Sequence, residues 1–397
     1  MFKKIMSTPK GRMYTYVASA LIIFLVVFII ITVSIPDKGR LRYNLKPDGT
    51  YEVTDIKDLY RGGIFMKKKL VIPSEYDGKK VTSVAKIESY DIEEIVLPDT
   101  ITSIMSGSFI KMESLKKINI PEGVKKIGSK AFANCSSLTE IALPESLTEI
   151  GESAFYSCLS LETVTIPAGV KKIGSYAFSG CIKLDKVSLD FNTTEIGSNV
   201  FTDTAYIEKI YQANDNFFIV NNVLYGIKID EAKVEGSKSS GYKIVIPEGV
   251  KEINTGVFEE ELAVAVVYMP KSLEKIRSKA FSLNDPFGKN KIKFIVFKNT
   301  TFTVEDDSFV DCTSLKQIAY ELDKEEIDTT SLKGSSIEKV IVVYMKDGKF
   351  YRDCKLEKNS EDLTTLEYDV EELKPFRLVD GKKEYFNEAS YKFEAAK

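Results

Sequence analysis

Residues Ile120–Pro144 read IPEGVKKIGSKAFANCSSLTEIALP, and Leu143–Pro167 read LPESLTEIGESAFYSCLSLETVTIP. The second stretch is the first moved along by 23 residues. Pro98, Pro121, Pro144 and Pro167 keep that step; so do Phe109, Phe132, Phe155 and Phe178, with Phe201 extending the series, and Cys135, Cys158 and Cys181. Several fixed positions recurring at one spacing predict a stack of equivalent coils.

The chemistry of one coil follows from residue types. Leu138-x-x-Ile141-x-Leu143 places Ile141 and Leu143 on one face of a short strand. Pro144 ends that strand, because it has no N–H for a ladder. Leu147-x-x-Ile150 turns the chain back with apolar groups inward, and Gly151 is expected to permit a bend. Ala154, Phe155 and Cys158 are expected to form one short helical turn that closes the coil. A single coil cannot keep this inner face dry; stacked coils bury it continuously. The predicted fold class is therefore mostly β with short helical turns, a solenoid.

The unit L-x-x-I-x-[IL]-P-x-x-[VL]-x-x-I-G-x-x-A-F-x-x-C-x-x resembles the BspA-like leucine-rich repeats, a family found on surfaces of bacteria and some protists. The resemblance covers roughly residues 43–320. It is tight from Ile95 to Leu189, returns at Ile246–Phe258 and Met269–Phe281, and returns loosely at Phe309–Ile318, where Phe309 and Cys312 keep the F-x-x-C spacing. Met112 replaces the cysteine of its repeat, and Phe281 to Phe309 is 28 residues rather than 23, which puts a regular curvature of the second half in doubt. The resemblance implies adhesion or host and matrix contact, and implies no catalytic residues.

Outside the repeats, Met13–Pro36 contains no charged residue, and Ala20–Ile31 is unbroken apolar sequence. A helix from Tyr14 to Ile35 would span roughly 33 Å, the thickness of a bilayer core. The alternative is a cleaved signal peptide, but the apolar run is longer than an ordinary h-region and no A-x-A site follows. Lys3, Lys4, Lys10 and Arg12 precede the span; Lys38, Arg40 and Arg42 follow it. That bias favours a cytoplasmic tail at 1–12, a transmembrane signal-anchor at 13–36 and an exported, extracellular body on a single-pass membrane protein.

The body divides further. Arg42–Thr54 alternates around a Pro-Asp-Gly turn and reads as a hairpin; residues 37–94 are expected to form an N-terminal β-hairpin cap and first repeat. The leucine-rich-repeat solenoid spans 95–320, interrupted at about 202–244, where NDNFFIVNNVLYGIKID is strand-like. Residues 321–397, with VIVVY at Val340–Tyr344 and turns at Asp347-Gly348 and Asp380-Gly381, predict a small C-terminal β-rich domain or closing cap.

Composition narrows function. The chain has no histidine, so His-based triads and the commonest metal ligand are absent. The net charge is −3, and removing the four bases of the first 36 residues leaves −7, which argues against a nucleic-acid partner. No EF-hand, P-loop, G-x-S-x-G or dinucleotide fingerprint appears. No enzymatic activity, catalytic residue, metal or small-molecule cofactor is expected. Equivalent cysteines in stacked coils should lie roughly 5 Å apart with parallel Cβ vectors, a poor geometry for a disulfide, so buried free thiols are expected.

The outward positions of the L-x-x-I-x-L strands are where ligand contacts are sought. In the first half they are Glu93, Glu94 and Val96; Lys116, Lys117 and Asn119; Thr139, Glu140 and Ala142; Glu162, Thr163 and Thr165; Asp185, Lys186 and Ser188. These suit a solvated face with cross-strand charge pairing. In the second half, Val264-x-x-Val267-x-Met269 and Ile292-x-x-Ile295-x-Phe297 inward leave Val266 beside Phe294 and Tyr268 beside Val296. Two readings stand for Val266, Tyr268, Phe294 and Val296: a partner-contact patch, or a patch covered by the C-terminal segment. The leading reading is a membrane-anchored, surface-displayed protein binding a protein or glycan partner; the alternatives are a structural envelope scaffold, or an enzyme with its site after Glu321.

Overall fold

A regular coil of the first unit spends its 23 residues on three walls: a short strand, a second short strand, and a row of tight turns. The structure, a computed structural model, describes residues 40–56, 68–229, 235–237, 241–259, 264–282, 292–310, 312, 315, 317–321, 342–346, 349–354, 364–369, 374–380, 382–387, 390 and 392–395. The expected tail at 1–12 and transmembrane segment at 13–36 lie outside the described residues. Among the described residues no helix is long and apolar enough to cross a membrane. The chain divides into two units, one ending at Thr194 and the other beginning at Glu195.

The first unit opens on an antiparallel hairpin, Leu41–Leu45 with Tyr51–Ile56, bulged between Arg42 and Tyr43. Its turn is held by Asp48, whose carboxylate accepts from the Thr50 amide at 2.9 Å and the Thr50 hydroxyl at 2.6 Å. Strand Tyr51–Ile56 then starts a parallel ladder: Lys79–Val84, Ser103–Ile104, Lys126–Ile127, Glu149–Ile150 and Lys172–Ile173 follow in order. A second parallel wall runs Lys69–Val71, Glu94–Val96 and Lys117–Ile118, continues through the bridges Asn119↔Ala142 and Glu140↔Thr163, and resumes with Thr163–Thr165 beside Lys186–Ser188. Pro121, Pro144 and Pro167 stand where this wall turns, each carbonyl accepting at 3.0 Å from the amide three residues on.

The rings of Phe109, Phe132, Phe155 and Phe178 form one inner column. Successive centroids are 5.2, 5.1 and 5.1 Å apart, with interplanar angles of 22°, 2° and 5°. All four are fully buried, as are Leu115, Leu138, Leu161 and Leu184 and the column Ile104, Ile127, Ile150, Ile173. The stacking that the 23-residue step demands is therefore present.

The third wall departs from the expectation of helical turns. Its amides alternate between two destinations. Ala131, Ala133 and Cys135 donate back within their own turn, to Gly128, Lys130 and Phe132; Lys130, Phe132 and Asn134 donate to Glu152, Ala154 and Tyr156 of the next coil at 2.7–2.8 Å. A helix would send every N–H back along itself. The alternation needs left-handed backbone at two positions per coil. One column is Gly107, Lys130, Ser153 and Tyr176; the other is Lys111, Asn134, Ser157 and Gly180; all have φ between 54° and 74°. Left-handed backbone costs a side-chain-bearing residue roughly 1–2 kcal/mol, and the inter-coil hydrogen bonds offset it. Replacing the exposed Lys130 with glycine should therefore stabilise the protein by about 0.5 kcal/mol, the relieved strain less glycine's extra unfolded-state freedom. A measured loss of stability in chemical denaturation of Lys130→Gly would contradict this.

Gly151 does not serve as a bend. Gly128, Gly151 and Gly174 have no positive φ; a Cβ on them would come within 2.4, 2.6 and 2.4 Å of the Ser106, Ser129 and Glu152 nitrogens one coil earlier. They are glycines because coils touch there.

The second unit repeats the two ladders. The interruption at 202–244 holds a feature not anticipated from sequence, an α-helix at Ala205–Ala213. Thr204 caps it, its Oγ1 accepting from the Ile207 amide at 3.2 Å and donating to the Phe201 carbonyl at 2.7 Å. The strand-like reading of the following segment holds: Phe217–Val220 pairs with Val223–Ile227 through an Asn221-Asn222 turn with φ of 52° and 66°, the left-handed pair such hairpins require. Val223–Ile227 begins a ladder continued by Glu252–Ile253, Lys275–Ile276 and Thr303–Val304. Gly241–Val245 begins the other, continued by Val264–Tyr268, Phe294–Phe297, Gln317–Tyr320 and Val342–Lys346. The chain then reverses into an antiparallel meander of Lys349–Cys354, Thr364–Asp369, Lys374–Val379, Lys382–Asn387 and Lys392–Ala395. Phe258, Phe281 and Phe309 stack at 4.5 and 4.9 Å, so the 28-residue step keeps the column intact.

Candidate partner-binding surface

In the first unit the outward strand positions face water. Lys116, Lys117, Asn119, Thr139, Glu140, Ala142, Glu162, Thr163, Thr165, Lys186 and Ser188 are exposed, while Glu93, Glu94, Val96 and Asp185 are half-buried. Charge pairs run across coils. Glu93 takes Lys116 at 2.8 Å on one side and Lys68 on the other, and Lys69 meets Glu94 at 2.8 Å. Lys116 first and Lys68 second hold the Glu93 carboxyl down at about 2. The expected solvated, charge-paired face is what the structure has. Asn119 plays a part that its exposure hid: its side-chain amide donates to the Leu97 carbonyl and its oxygen accepts from the Leu97 amide, both at 2.8 Å. It clamps the preceding strand end.

The cysteines line the third wall. Each thiol donates to a carbonyl of the preceding coil: Cys135 to Phe109 at 3.1 Å, Cys158 to Phe132 at 3.2 Å, Cys181 to Phe155 at 3.1 Å and Cys312 to Phe281 at 2.8 Å. These four are free thiols, as the parallel Cβ geometry implied. Burial pushes Cys135 up to about 12 and Cys158 well above the ordinary thiol range. Burial therefore keeps Cys135 and Cys158 as protonated thiols within the core, where the nucleophilic thiolate is disfavoured. Among the described residues no group of three His, Cys, Asp or Glu side chains is placed to hold a metal ion.

In the second unit the register is the expected one, Val266 opposite Phe294 and Tyr268 opposite Val296. The exposure is not. Phe294 and Val296 are fully buried, clustered with Ala319 and Val343, while Val266 and Tyr268 pack against that cluster and stay half-buried. The sheet does not stop at Phe294–Phe297; two further parallel strands carry Ala319 and Val343 onto the same face, and all four residues of Phe294–Phe297 are buried. Phe294 and Val296 are thus corrected from contact residues to core. What remains open is the edge of the strip: Tyr268, with the Lys243 ammonium 5.0 Å from its ring centroid, Val266, and Val245, which is 52% exposed.

The coil geometry, with its leucine, phenylalanine and cysteine columns, has a counterpart among known families. The model of the BspA type leucine rich repeat region matches residues 86–208 and 283–361 in six copies, just over half of the chain. The chain belongs to the BspA-type leucine-rich repeat family. No curated protein matches it. Among solved structures, it is similar to a leucine-rich repeat protein from Bacteroides ovatus ATCC 8483, with 22% identity over 76% of this chain and 75% of that one and a TM-score of 0.41. It is also similar to a leucine rich cell surface protein from Faecalibacterium prausnitzii A2-165, with 24% identity over 78% and 94% and a TM-score of 0.39. The pneumococcal vaccine antigen PcpA shares 17% identity over 78% and 93%, with a TM-score of 0.31. BspA-type repeats are scaffolds, and the outward strand positions described above are the surface that this scaffold presents.

Proposed function

We propose that this BspA-type protein is displayed on the cell surface, anchored by residues 13–36, and binds a protein or glycan partner on its repeat surface. The uncharged span and its basic flank support the anchor. Repeat stacks offer extended faces rather than deep pockets, which suits macromolecular partners. The observation that carries the reading is the half-open apolar edge of Val245, Val266 and Tyr268, backed by the buried Phe294 and Val296. An aromatic ring held rigid by a packed floor loses little entropy when a partner closes over it.

The test compares binding of the full chain and of Tyr268→Ala with Val266→Ser to a panel of extracellular matrix proteins and host glycans. At a ligand bound by the native chain, the double variant should weaken affinity about tenfold or more, the effect of losing a central aromatic contact. Lys117→Ser in the solvated face of the first unit should leave it unchanged. Equal affinity of native chain and double variant would remove this edge from the binding surface, and an absence of any binding would favour the scaffold reading.

A further inference from the structure

Near the start of the first unit the third wall is incompletely closed. Among the described residues, 86–90 send one backbone hydrogen bond to the next coil, from the Ile87 amide to the Ser108 carbonyl at 2.7 Å. The coil that follows sends three, from Gly107, Phe109 and Lys111 to Ser129, Ala131 and Ala133 at 2.8–2.9 Å. Where the wall is looser there is a recess of about 290 Å³, lined by Lys86, Glu88, Ser89, Tyr90, Ile110 and Lys111. Tyr90 is 72% exposed, more than any other large apolar side chain among the described residues, and Ile110 is half-buried.

This lining narrows the class of guest. A wholly apolar molecule would strip water from charged side chains and leave them unsatisfied. Lys86 and Lys111 share the lining with Glu88, and the exposed Asp91 follows Tyr90, so neither sign of charge dominates and an ion is not favoured. Lys86 and Glu88 are moreover paired with each other. A protein face is too flat for so small a hollow, whose volume sits at the foot of the range for small-ligand sites, roughly 300 Å³. A neutral sugar ring meets every part. Its hydroxyls both donate and accept, which suits the acceptor carboxylate of Glu88, the donor ammonium of Lys111 and the hydroxyl of Ser89, which does either. Ser89 Oγ accepts from the Asp91 amide at 3.4 Å, which leaves its O–H to donate. The C–H face of such a ring finds apolar surface on Tyr90 and Ile110.

We propose that this recess binds a neutral sugar unit, with Tyr90 as its platform and Glu88, Ser89 and Lys111 as its hydrogen-bonding partners. It deepens the proposed function by naming a glycan class, and rests on that reading only for the display of the repeat surface to such glycans. The site lies in the first unit and does not use Val245, Val266 or Tyr268.

The test is saturation-transfer NMR on the full chain in micelles, because one sugar ring in an open recess binds weakly. The probes are the methyl glycosides of glucose, galactose, mannose and N-acetylglucosamine, with those of glucuronic acid and glucosamine as charged counterparts. At least one neutral glycoside should receive transfer, and more than either charged one. Tyr90→Ala should weaken its binding about tenfold, the effect of removing an aromatic contact, whereas Tyr90→Phe, which keeps the ring, should stay within about twofold. Thermal unfolding of both variants should match the native chain, since Tyr90 is mostly exposed. No transfer to any neutral glycoside overturns the proposal, as does a preference for a charged one or equal transfer from the native chain and Tyr90→Ala. Tyr268→Ala with Val266→Ser should bind the glycoside like the native chain. If that double variant also keeps its affinity for a macromolecular ligand, the edge reading fails while the recess stands; loss of glycoside binding in Tyr90→Ala alone depends only on the recess.

Discussion

Raising the pH from 8 to 11 should strip about 2.7 kcal/mol from the protein's stability through Cys135, with Cys158 acting in the same direction. Both thiols stay protonated in the folded chain, Cys135 up to about 12 and Cys158 beyond the ordinary range, because burial disfavours the thiolate. Once unfolded, each ionises near its ordinary value of 9.0. A folded pKa raised above the unfolded one gives a contribution that is complete below the unfolded value and disappears as pH climbs toward the folded value, here between about 9 and 12. Two pH units above 9 amount to about 2.7 kcal/mol for Cys135 at 1.36 kcal/mol per unit, and Cys158 adds to the loss in the same direction. Tyr206 and Tyr225 are also pushed up by burial and act in the same direction. The comparison must therefore be with Cys135→Ala/Cys158→Ala, which keeps the tyrosines. That variant starts lower at pH 8, having lost two buried sulfurs and their hydrogen bonds to Phe109 and Phe132, but should fall much less steeply, so the two curves converge. Parallel stability curves from denaturant titrations at pH 8, 9, 10 and 11 would show that the thiols are not the cause.

The second large effect concerns the ring column. Phe155→Ala should cost about 4 kcal/mol, the usual loss for deleting a buried phenyl group. Phe155 has a ring on each side at 5.1 Å, so the cavity breaks two stacking contacts and cannot be refilled by a side chain from across the coil. Stability in a repeat stack is a sum of coils and nearest-neighbour interfaces. The loss should consequently be local, and urea unfolding monitored by hydrogen exchange should show the coils flanking 155 opening before the rest. Phe132→Ala with Phe155→Ala should cost less than the sum of the single changes by about 1 kcal/mol, because the shared stacking contact can be lost only once. A shift below 1 kcal/mol for Phe155→Ala would mean that the column does not carry the fold.

Much of this architecture could be read from the 23-residue step. A fixed step assigns every inward leucine, isoleucine and phenylalanine to a column, because a slip by one residue would turn an entire strand face outward. The pairing of Val266 with Phe294 was legible for the same reason, even across a 28-residue interval. Two things were hidden, and a third was left undecided. Beside Gly107, Gly180 and Asn134, which tolerate positive φ, the left-handed columns hold lysine, serine and tyrosine, residues that do not announce it; what permits them is a hydrogen bond to another coil. The helix at Ala205–Ala213 carried its signals, Thr204 ahead of Ile207, Ile210 and Tyr211, but lay in a stretch dominated by strand-like neighbours. The burial of Phe294 and Val296 was one of the two readings left open by the sequence; what decides for it is Ala319 and Val343, brought onto the same face by the two further parallel strands. The clamp of Asn119 on Leu97 is likewise visible only once two coils are laid side by side.

The alternating amides of the third wall bear on how such a protein changes over generations. Each coil receives hydrogen bonds from the one before and gives the same set to the one after, at the same positions. A whole 23-residue block can then be duplicated or deleted inside the first unit without stranding a single donor or acceptor at the join. Each such event alters the height of the stack by one ring step, about 5 Å. A lineage could tune the length of its stack by copying a short piece of gene, with no search for compensating substitutions.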